Sequence, residues 1–600
     1  MDLAAVQHRA YDNFCYPLDD DTLEINLFTG KDVEKVSIIF GDPFEGGIMG
    51  GNWNWKGREK EIFQKKELQT HTLWTTQIKP EFKRLRYYFK LESGSEKMFF
   101  LETGFVTEEQ LATTNMQGAF IFPWMNPADT NKVPKWAENT VWYQIFPARF
   151  SKGECSVTPE NLLPWAEFGK PVKHGWKEPV YGGNIRGIID RLDYLQNLGI
   201  TGIYLTPINL STSQHKYNTD DYEAIDPEFG SEEDVIEMVK KAHEHGIRVI
   251  FDGVFNHCGS QFPQWLDAVK NGRKSKYADW FMVNDYNLDK MGFGEHSNSR
   301  KGKMYSFAFV DFMPKLNTNN PELRNYLLNV CEKWVKKYDI DGIRLDVANE
   351  ISHIFCQELN KRMKSLKPDF YIVGEIWHNS MPWLRGNEFD SVMNYPLQNA
   401  IADFCCKEEW NSMQFEWALN RCFSMYYRQT NRVLFNQMDS HDTIRILNRC
   451  SGNKKRSNIA LALMFCMPGS VCIYYGTEIA LEGGHDPDNR RCMPWKQIDS
   501  GLFEEQQEFT KKLISLRKSN SALLGTQMDF VHDPCDKNGE NRVVHIVKTS
   551  EDGNTKVGII ANCGKKPFKT DVSCKNVLLS SGFDEGVLDL DGFVIYRSNV

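Results

Sequence analysis

The sequence predicts an α/β fold: a central (β/α)8 barrel with an excursion subdomain after its third strand, an N-terminal β-sandwich and a C-terminal β-sandwich. Three observations carry this prediction. Between residues 138 and 515, eight apolar runs of strand length alternate with amphipathic stretches of helix length. Near-continuous apolar strands separated by helices imply a parallel sheet covered on its outer face, and eight such units close into a barrel. Roughly the first 120 residues instead alternate polar and apolar at period two, and roughly the last 80 are again rich in β-formers.

Taken in chain order, TLEINLFTG, KVSIIFG and RLRYYFKLES read as antiparallel strands separated by turns, giving a sandwich over 1–125. FPWMNPADTNKVPKWAEN, with three prolines, contains the linker, 126–137. The barrel strands are VWYQIF (141–146), GIYLTPI (202–208), IRVIFDGVF (247–255), GIRLDV (342–347), FYIVGEIW (370–377), SVMNY (391–395), VLFNQMD (433–439) and VCIYYGTE (471–478). NIRGIIDRLDYLQNLG, SEEDVIEMVKKAHEHG, PELRNYLLNVCEKWVKKY and SHIFCQELNKRMKSL are the helices between them. Ser231 with Asp234 forms a capping box, and Gly199 and Gly246 stand at C-caps. The connection from Asn256 to Met313 is too long for a structureless loop, so 257–315 is an excursion overhanging the barrel mouth. VVHIVKT, TKVGIIANC and GVLDLDGFVIYRS make the C-terminal sandwich, 516–600.

Composition narrows the class. With 41% hydrophobic and 25% charged residues the chain is globular, and at 600 residues it exceeds one core. A net charge of −9 without a long basic run argues against nucleic acid or an anionic membrane as partner. The apolar segment 459–475 is cut by Pro468, Gly469 and Ser470, so it reads as a buried helix and strand rather than a membrane span. Asp2, His8, Arg9 and Asp12 interrupt the start where a secretory signal would be apolar. Fifteen cysteines, an odd number with no C-x-x-C pair and an adjacent Cys405-Cys406, imply reduced thiols and a cytoplasmic protein.

Three carboxylates end apolar runs: Asp346, Glu375 and Asp442. Cleaving a glycosidic bond with retention takes two carboxyl groups about 5–5.5 Å apart, one nucleophile and one proton donor. A strand-end acid can instead cap a helix or form a salt bridge; three in matching contexts favour catalysis. Arg344, two residues before Asp346 on one strand, faces the same side and is expected to hold Asp346 ionised with a lowered pKa. Glu375 has no neighbouring cation in sequence, and Val373 and Trp377 on its face are expected to form apolar walls that raise its pKa, as suits a general acid. Asp442, beside His441, is placed to hold sugar hydroxyls. DGVFNH adds Asp252, Asn256 and His257; a lone inward histidine can equally be a satisfied core residue.

DGVFNH, GIRLDVANE, GEIW and the SHD of NQMDSHDT, in this order, resemble the α-amylase family, glycoside hydrolase family 13. HKYNTDDY, MPKLN, VANE and GGHDPDNRRCMPW are similar to its neopullulanase, cyclomaltodextrinase and maltogenic amylase group. The resemblance covers essentially the whole chain. It implies that Asp346 is the nucleophile, Glu375 the acid/base and Asp442 the transition-state stabiliser. It implies further that His257, Arg344 and His441 hold the −1 sugar, Tyr217 stacks beneath it, Asp486 and Arg490 reach toward −2, and Trp377 serves the acceptor side.

The implied substrates are α-glucan oligosaccharides, cyclodextrins and pullulan, and the implied assembly is a homodimer through the N-terminal domain. A glucan transferase of the same family and a non-catalytic carbohydrate-binding or scaffold protein are the alternatives. Relatives often bind calcium in the loop after the first strand. Here that loop reads RFSKGECSVTPE, with Lys152, Val157 and Thr158 at expected ligand places and Asn184 replacing an aspartate. No metal and no cofactor is therefore expected at that site.

Overall fold

The computed structural model describes residues 1–45, 47, 55–166, 179–536 and 538–598. The chain divides into two compact units. One comprises Met1–Lys132, Asn379–Gly386 and Trp410–Asn431; the other comprises Val133–His378, Asn387–Glu409 and Arg432–Val600.

In the first unit, the period-two segments become two antiparallel sheets. Leu23–Gly30 pairs with His71–Ile78 in one, and Lys35–Gly41 with Leu85–Ser93 in the other. Their alternate residues Leu23, Ile25, Leu27, Val36, Ile38, Tyr87, Phe89 and Leu91 are buried together as the core. Two stretches from inside the 138–515 span belong to this unit. Asn420, on helix Ser412–Ser424, donates to the Glu67 carbonyl at 2.8 Å, and Arg385 pairs with Asp12 at 2.8 Å. Local pattern could not place them there, because the partners lie hundreds of residues away.

The second unit holds the barrel. Its strands are β1 (Val141–Ile145), β2 (Gly202–Leu205), β3 (Arg248–Gly253), β4 (Gly342–Leu345), β5 (Tyr371–Gly374), β6 (Ser391–Val392), β7 (Phe435–Gln437) and β8 (Ser470–Tyr474). All neighbours pair in parallel in the order β6-β5-β4-β3-β2-β1-β8-β7. A parallel bridge between Met393 and Phe435 joins the two ends and closes the ring. Each strand is shorter than its apolar run, because the run continues into the loop that leaves the barrel.

The strand period sorts the interior into layers. Trp142, Ile250, Tyr371, Phe435 and Cys472 fill the lower part, with Trp142 stacked on Tyr371 at 5.7 Å. Gly342 makes room for this layer, since a Cβ there would lie 2.3 Å from the Tyr371 carbonyl oxygen. Two residues further along the strands stand Gln144, Asp252 and Arg344, and beyond them Asp346 and Glu375. The apolar floor thus supports a polar rim.

The helices follow the sequence closely. Ser231 and Asp234 form the capping box of Glu232–Glu244, and Gly199 caps Leu192–Leu198 with φ 97°. The 184–199 segment forms two helices, Ile185–Ile189 and Leu192–Leu198, rather than one. After β3 the excursion forms helix Pro263–Asn271 and short bridges, including His257–Lys315 and Phe281–Leu316, that fold it back on itself. After β2 a hairpin of Asn209–Ser211 with Thr219–Ile225 presents the loop that carries Tyr217. The C-terminal strands form a six-stranded sheet in which Val587–Ser598 is central. Among the described residues no helix is long and apolar enough to cross a membrane.

At the opposite end from the polar rim, Asp341 precedes β4, almost fully buried. It pairs with His243 at 2.7 Å, Arg248 at 2.7 Å and Lys367 at 3.0 Å, and it accepts the Val249 N–H at 2.9 Å. Burial alone would raise its pKa, but the hydrogen bonds from His243, Val249 and Arg248 and the charge of Lys367 prevail and hold it well below the usual range. A carboxyl depressed in the folded state stabilises fully above its unfolded pKa, and that contribution disappears as pH falls through the folded value. Asp341→Ala is expected to cost about 2–3 kcal/mol at pH 7, the partial exposure of its three side-chain partners keeping it below a fully buried pair. Thermal unfolding against pH checks this: the gap from wild type should be constant above pH ~5 and shrink in acid. A gap that grows in acid would contradict the pairing.

Candidate active site

The rim of the barrel gathers three acids around one guanidinium, with a fourth, Asp442, beside them. Arg344, on β4, reaches Asp252 of β3 and Asp346 with Nη1, each at 2.9 Å, and contacts Glu375 with Nη2 at 3.0 Å. Asp346 lies one residue past β4 and Glu375 one past β5, so parallel register sets them side by side. Glu375 Oε2 also accepts the N–H of Val347, the residue after Asp346, at 2.8 Å. One guanidinium thus touches both carboxylates, the two groups that a retaining mechanism would use as nucleophile and proton donor.

Val347 takes φ 45° and ψ 46°, a left-handed conformation that is strained for a β-branched side chain. That turn is what aims its amide at Glu375, an instance of backbone strain held at a functional site.

The electrostatics differ from the sequence expectation in two places. Asp346 is not lowered: burial first, then the neighbouring Glu375, Asp252 and Asp442, raise its carboxyl well above the usual aspartate range against the pull of Arg344. One adjacent cation predicted the opposite because the acids from other strands were invisible in sequence. Nor does Glu375 sit between apolar walls. Besides Arg344 and Val347, the Trp377 indole donates to its Oε1 at 3.0 Å.

The neighbouring carboxylates thus hold the Asp346 proton more tightly than an isolated aspartate would. The attacking form is deprotonated, so activity is lost as pH falls through the raised value. The acid limb of kcat/KM is expected above the ordinary aspartate range, near 3.9. A limb at or below that range would contradict this.

Asp442 follows β7 by five residues and is about one-third exposed, the most open of the group. His441 Nε2 lies 3.1 Å from its Oδ2, and Arg490 lies 3.6 Å from its Oδ1 while pairing with Asp486 at 3.0 Å. Burial, then the charges of Arg490 and Arg344, push His441 well below the usual histidine range, so its ring is neutral. Gln144 of β1 lies 2.6 Å from His441 Nδ1. With Nδ1 accepting from that amide, Nε2 carries the hydrogen and donates toward Asp442.

Tyr217 lies parallel to His441, rings 5.1 Å apart at 2°, and donates to Asp252 at 2.9 Å. Its loop is fixed by a buried ion pair between Lys216, at φ 64°, and Asp226, 2.6 Å apart. His257 is buried and neutral, pushed down to about 3 by burial. Its Nε2 meets the Tyr217 carbonyl at 3.0 Å and its Nδ1 meets the Asn256 amide at 3.2 Å, so a sugar hydroxyl would have to displace one of them. Trp377, half exposed, stacks on Tyr395 at 3.8 Å. The ten residues expected from the sequence to act in catalysis or substrate binding therefore lie at this rim or along its edges.

Comparison with known proteins agrees with this geometry. Residues 144–523 match the family described as "Alpha amylase, catalytic domain", and residues 1–126 match "Alpha amylase, N-terminal ig-like domain". The chain belongs to the α-amylase family of glycoside hydrolases. It is 42% identical to a cyclomaltodextrinase of Geobacillus thermopakistaniensis (strain MAS1), covering 93% of this chain and 90% of that protein. It is 40% identical to an intracellular maltogenic amylase of Bacillus subtilis, covering 87% and 86%. A solved cyclomaltodextrinase structure superimposes with a TM-score of 0.87 at 35% identity, covering 100% of this chain and 98% of that one.

In the loop after β1, where the sequence raised the question of calcium, the Asn184 side chain is committed to the backbone. Asn184 Oδ1 accepts the N–H groups of Gly187 at 2.8 Å and Gly153 at 3.1 Å, and its Nδ2 donates to the Gly153 carbonyl at 2.9 Å. The amide thus caps a helix and ties down the loop, its side-chain oxygen engaged by two backbone N–H groups. Among the described residues, no group of three or more histidine, cysteine, aspartate or glutamate side chains is arranged to hold a metal.

Sequence reading missed Gln144, Tyr204 and Tyr395. Tyr204 donates to Asp252 at 2.6 Å. The strand period put Gln144 in register beside Tyr204 and would have pointed both inward. Tyr395 starts a helix beyond β6, and no local signal aimed it at the site.

Proposed function

We propose that this enzyme is a retaining α-glucan hydrolase that cleaves α-1,4-glucosidic bonds of cyclodextrins, maltodextrins and pullulan through a covalent glycosyl-enzyme intermediate. Asp346 attacks the anomeric carbon while Glu375 protonates the departing oxygen; Glu375 then takes a proton from water as the intermediate is hydrolysed. Asp442 binds sugar hydroxyls and favours the distorted ring of the transition state. Arg344, His441 and His257 hold the −1 sugar, over the Tyr217 ring. Asp486 and Arg490 extend the cleft toward −2. The observation that carries this reading is the shared Arg344 contact of Asp346 and Glu375, with Asp442 across the rim.

The half-exposed Trp377, bonded to the acid itself, offers a flat face to an incoming sugar. A second sugar can then replace water, giving some transglycosylation, or a glucan transferase if transfer dominates. Products from β-cyclodextrin, pullulan, maltotriose and soluble starch separate these outcomes. Net release of reducing ends, faster from cyclodextrin than from starch, supports the hydrolase; conserved reducing ends support the transferase; inertness of wild type equal to that of Asp346→Asn would sink both.

Three further parts belong to this proposal. The enzyme works in the cytoplasm, as the fifteen unbridged cysteines and the name of the Bacillus subtilis relative support. It pairs as a homodimer through its N-terminal sandwich, which sedimentation of the full chain against one lacking 1–125 would test. No calcium resides in the loop after β1, because the Asn184 amide is spent on backbone. Exhaustive chelation is therefore expected to leave kcat and the unfolding temperature unchanged; one tightly held calcium per chain with loss of activity on its removal would contradict this.

A further inference from the structure

Outside the cleft, four thiols from three parts of the second unit meet. Cys405 and Cys406 end helix Tyr395–Cys406, Cys450 caps the short helix Ile446–Arg449, and Cys563 follows the C-terminal strand Lys556–Asn562. Cys405 hydrogen-bonds with Cys563. The Sγ atoms of Cys406 and Cys450 lie 3.1 Å apart, about 1 Å from disulfide bonding distance. Cys406 is partly exposed, whereas Cys405, Cys450 and Cys563 are buried. Since no metal-holding group of side chains occurs among the described residues, the cluster is not explained as a ligand set.

The two close sulfurs are unequal. The hydrogen bond with Cys450, then the charges of Arg449 and Arg456, lower the Cys406 thiol against burial and Asp403. The same hydrogen bond and burial raise Cys450. An accessible sulfur biased toward thiolate, with a protonated partner behind it, is the arrangement of a reactive and a resolving cysteine.

We propose that Cys406 and Cys450 are a peroxide-reactive dithiol that closes reversibly to a disulfide. The Cys406 thiolate attacks hydrogen peroxide; the O–O bond breaks, an S–O bond forms and hydroxide leaves, giving a sulfenic acid. The Cys450 sulfur loses its proton and attacks that sulfur; the S–S bond forms, the S–O bond breaks, and the released hydroxide becomes water. Two thiols are oxidised by two electrons and one peroxide is reduced to two waters. A dithiol reductant reverses the step by exchange. The bond ties the end of a helix whose first residue, Tyr395, stacks on Trp377 to the segment that carries His441 and Asp442.

The test uses the full chain with Cys535→Ser and Cys574→Ser, which remove the two exposed thiols. Hydrogen peroxide treatment, denaturing alkylation and non-reducing peptide mapping should give one cross-linked peptide pair, lighter by two hydrogens, and a loss of two thiols per chain that dithiothreitol restores. Fragmentation should place the bond at Cys406 and Cys450, and Cys405→Ser should keep it. Cys450→Ser should stop at a Cys406 sulfenic acid trapped by a cyclic 1,3-diketone. Should any of these variants fail to fold, mapping of the wild-type chain decides alone. An unreactive Cys406, a bond to Cys405 or Cys563 instead, or equal thiol loss in wild type and Cys450→Ser without a cross-link would overturn the assignment.

Discussion

Asp346→Asn is expected to lower kcat on maltodextrins and cyclodextrins by at least about 10⁴-fold, the scale on which removing a nucleophile that acts within a catalytic unit is felt. An amide does not attack the anomeric carbon, and no other acid stands both against Arg344 and next to Glu375. The fold should not suffer. Asp346 shares Arg344 with Asp252 and Glu375, so neutralising it leaves the guanidinium paired and removes one of several crowded negative charges. The variant should therefore unfold at or above the wild-type temperature, an instance of stability traded for activity at a strained site. Retained turnover, or inactivity accompanied by a large drop in unfolding temperature, would contradict the assigned role.

Glu375→Gln separates the acid from the nucleophile. Sugars with poor leaving groups need a proton at the first step, and their turnover should fall by about 10³-fold, within the range for general acid catalysis. Activated aryl α-glycosides depart without that proton, so their first step should fall by little. The second step then loses its base, and the glycosyl-enzyme should accumulate as a burst of aryl alcohol. Azide, which needs no base, should restore turnover and give an α-glycosyl azide. Equal losses on both substrate classes, with no rescue, would contradict the role of Glu375.

The barrel was legible because each strand carries a run of β-branched residues ahead of a loop, and because caps such as Ser231 and Gly199 are local chemistry. All eight strands formed where the runs stood. What was not legible was long-range. Helix Ser412–Ser424 interrupts the barrel sequence yet belongs with the sandwich unit, through partners such as Glu67 that no local signal reveals.

The site shows the same division. Strand-end position and period two placed Arg344, Asp346 and Glu375 on one face, and the structure keeps them there. The sign of the Asp346 shift was misjudged because sequence displays the cation two residues away and hides Asp252, Glu375 and Asp442 on other strands. Trp377 was taken for an apolar wall, but its indole N–H turns to the acid it was expected to isolate. His257 stands at the rim with its ring nitrogens engaged by the Tyr217 carbonyl and the Asn256 amide, partners that lie outside its own strand pattern or beside it in sequence.

The central claim is that Asp346 becomes covalently bonded to the sugar. It is tested most directly by trapping the enzyme with a 5-fluoro-α-glucosyl fluoride, whose intermediate forms faster than it hydrolyses, and locating the label by peptide mass spectrometry. The account predicts one hexosyl group per chain, on Asp346, with turnover lost in proportion to labelling. A label on Glu375 or Asp442, or a fully active enzyme that carries none, would contradict it.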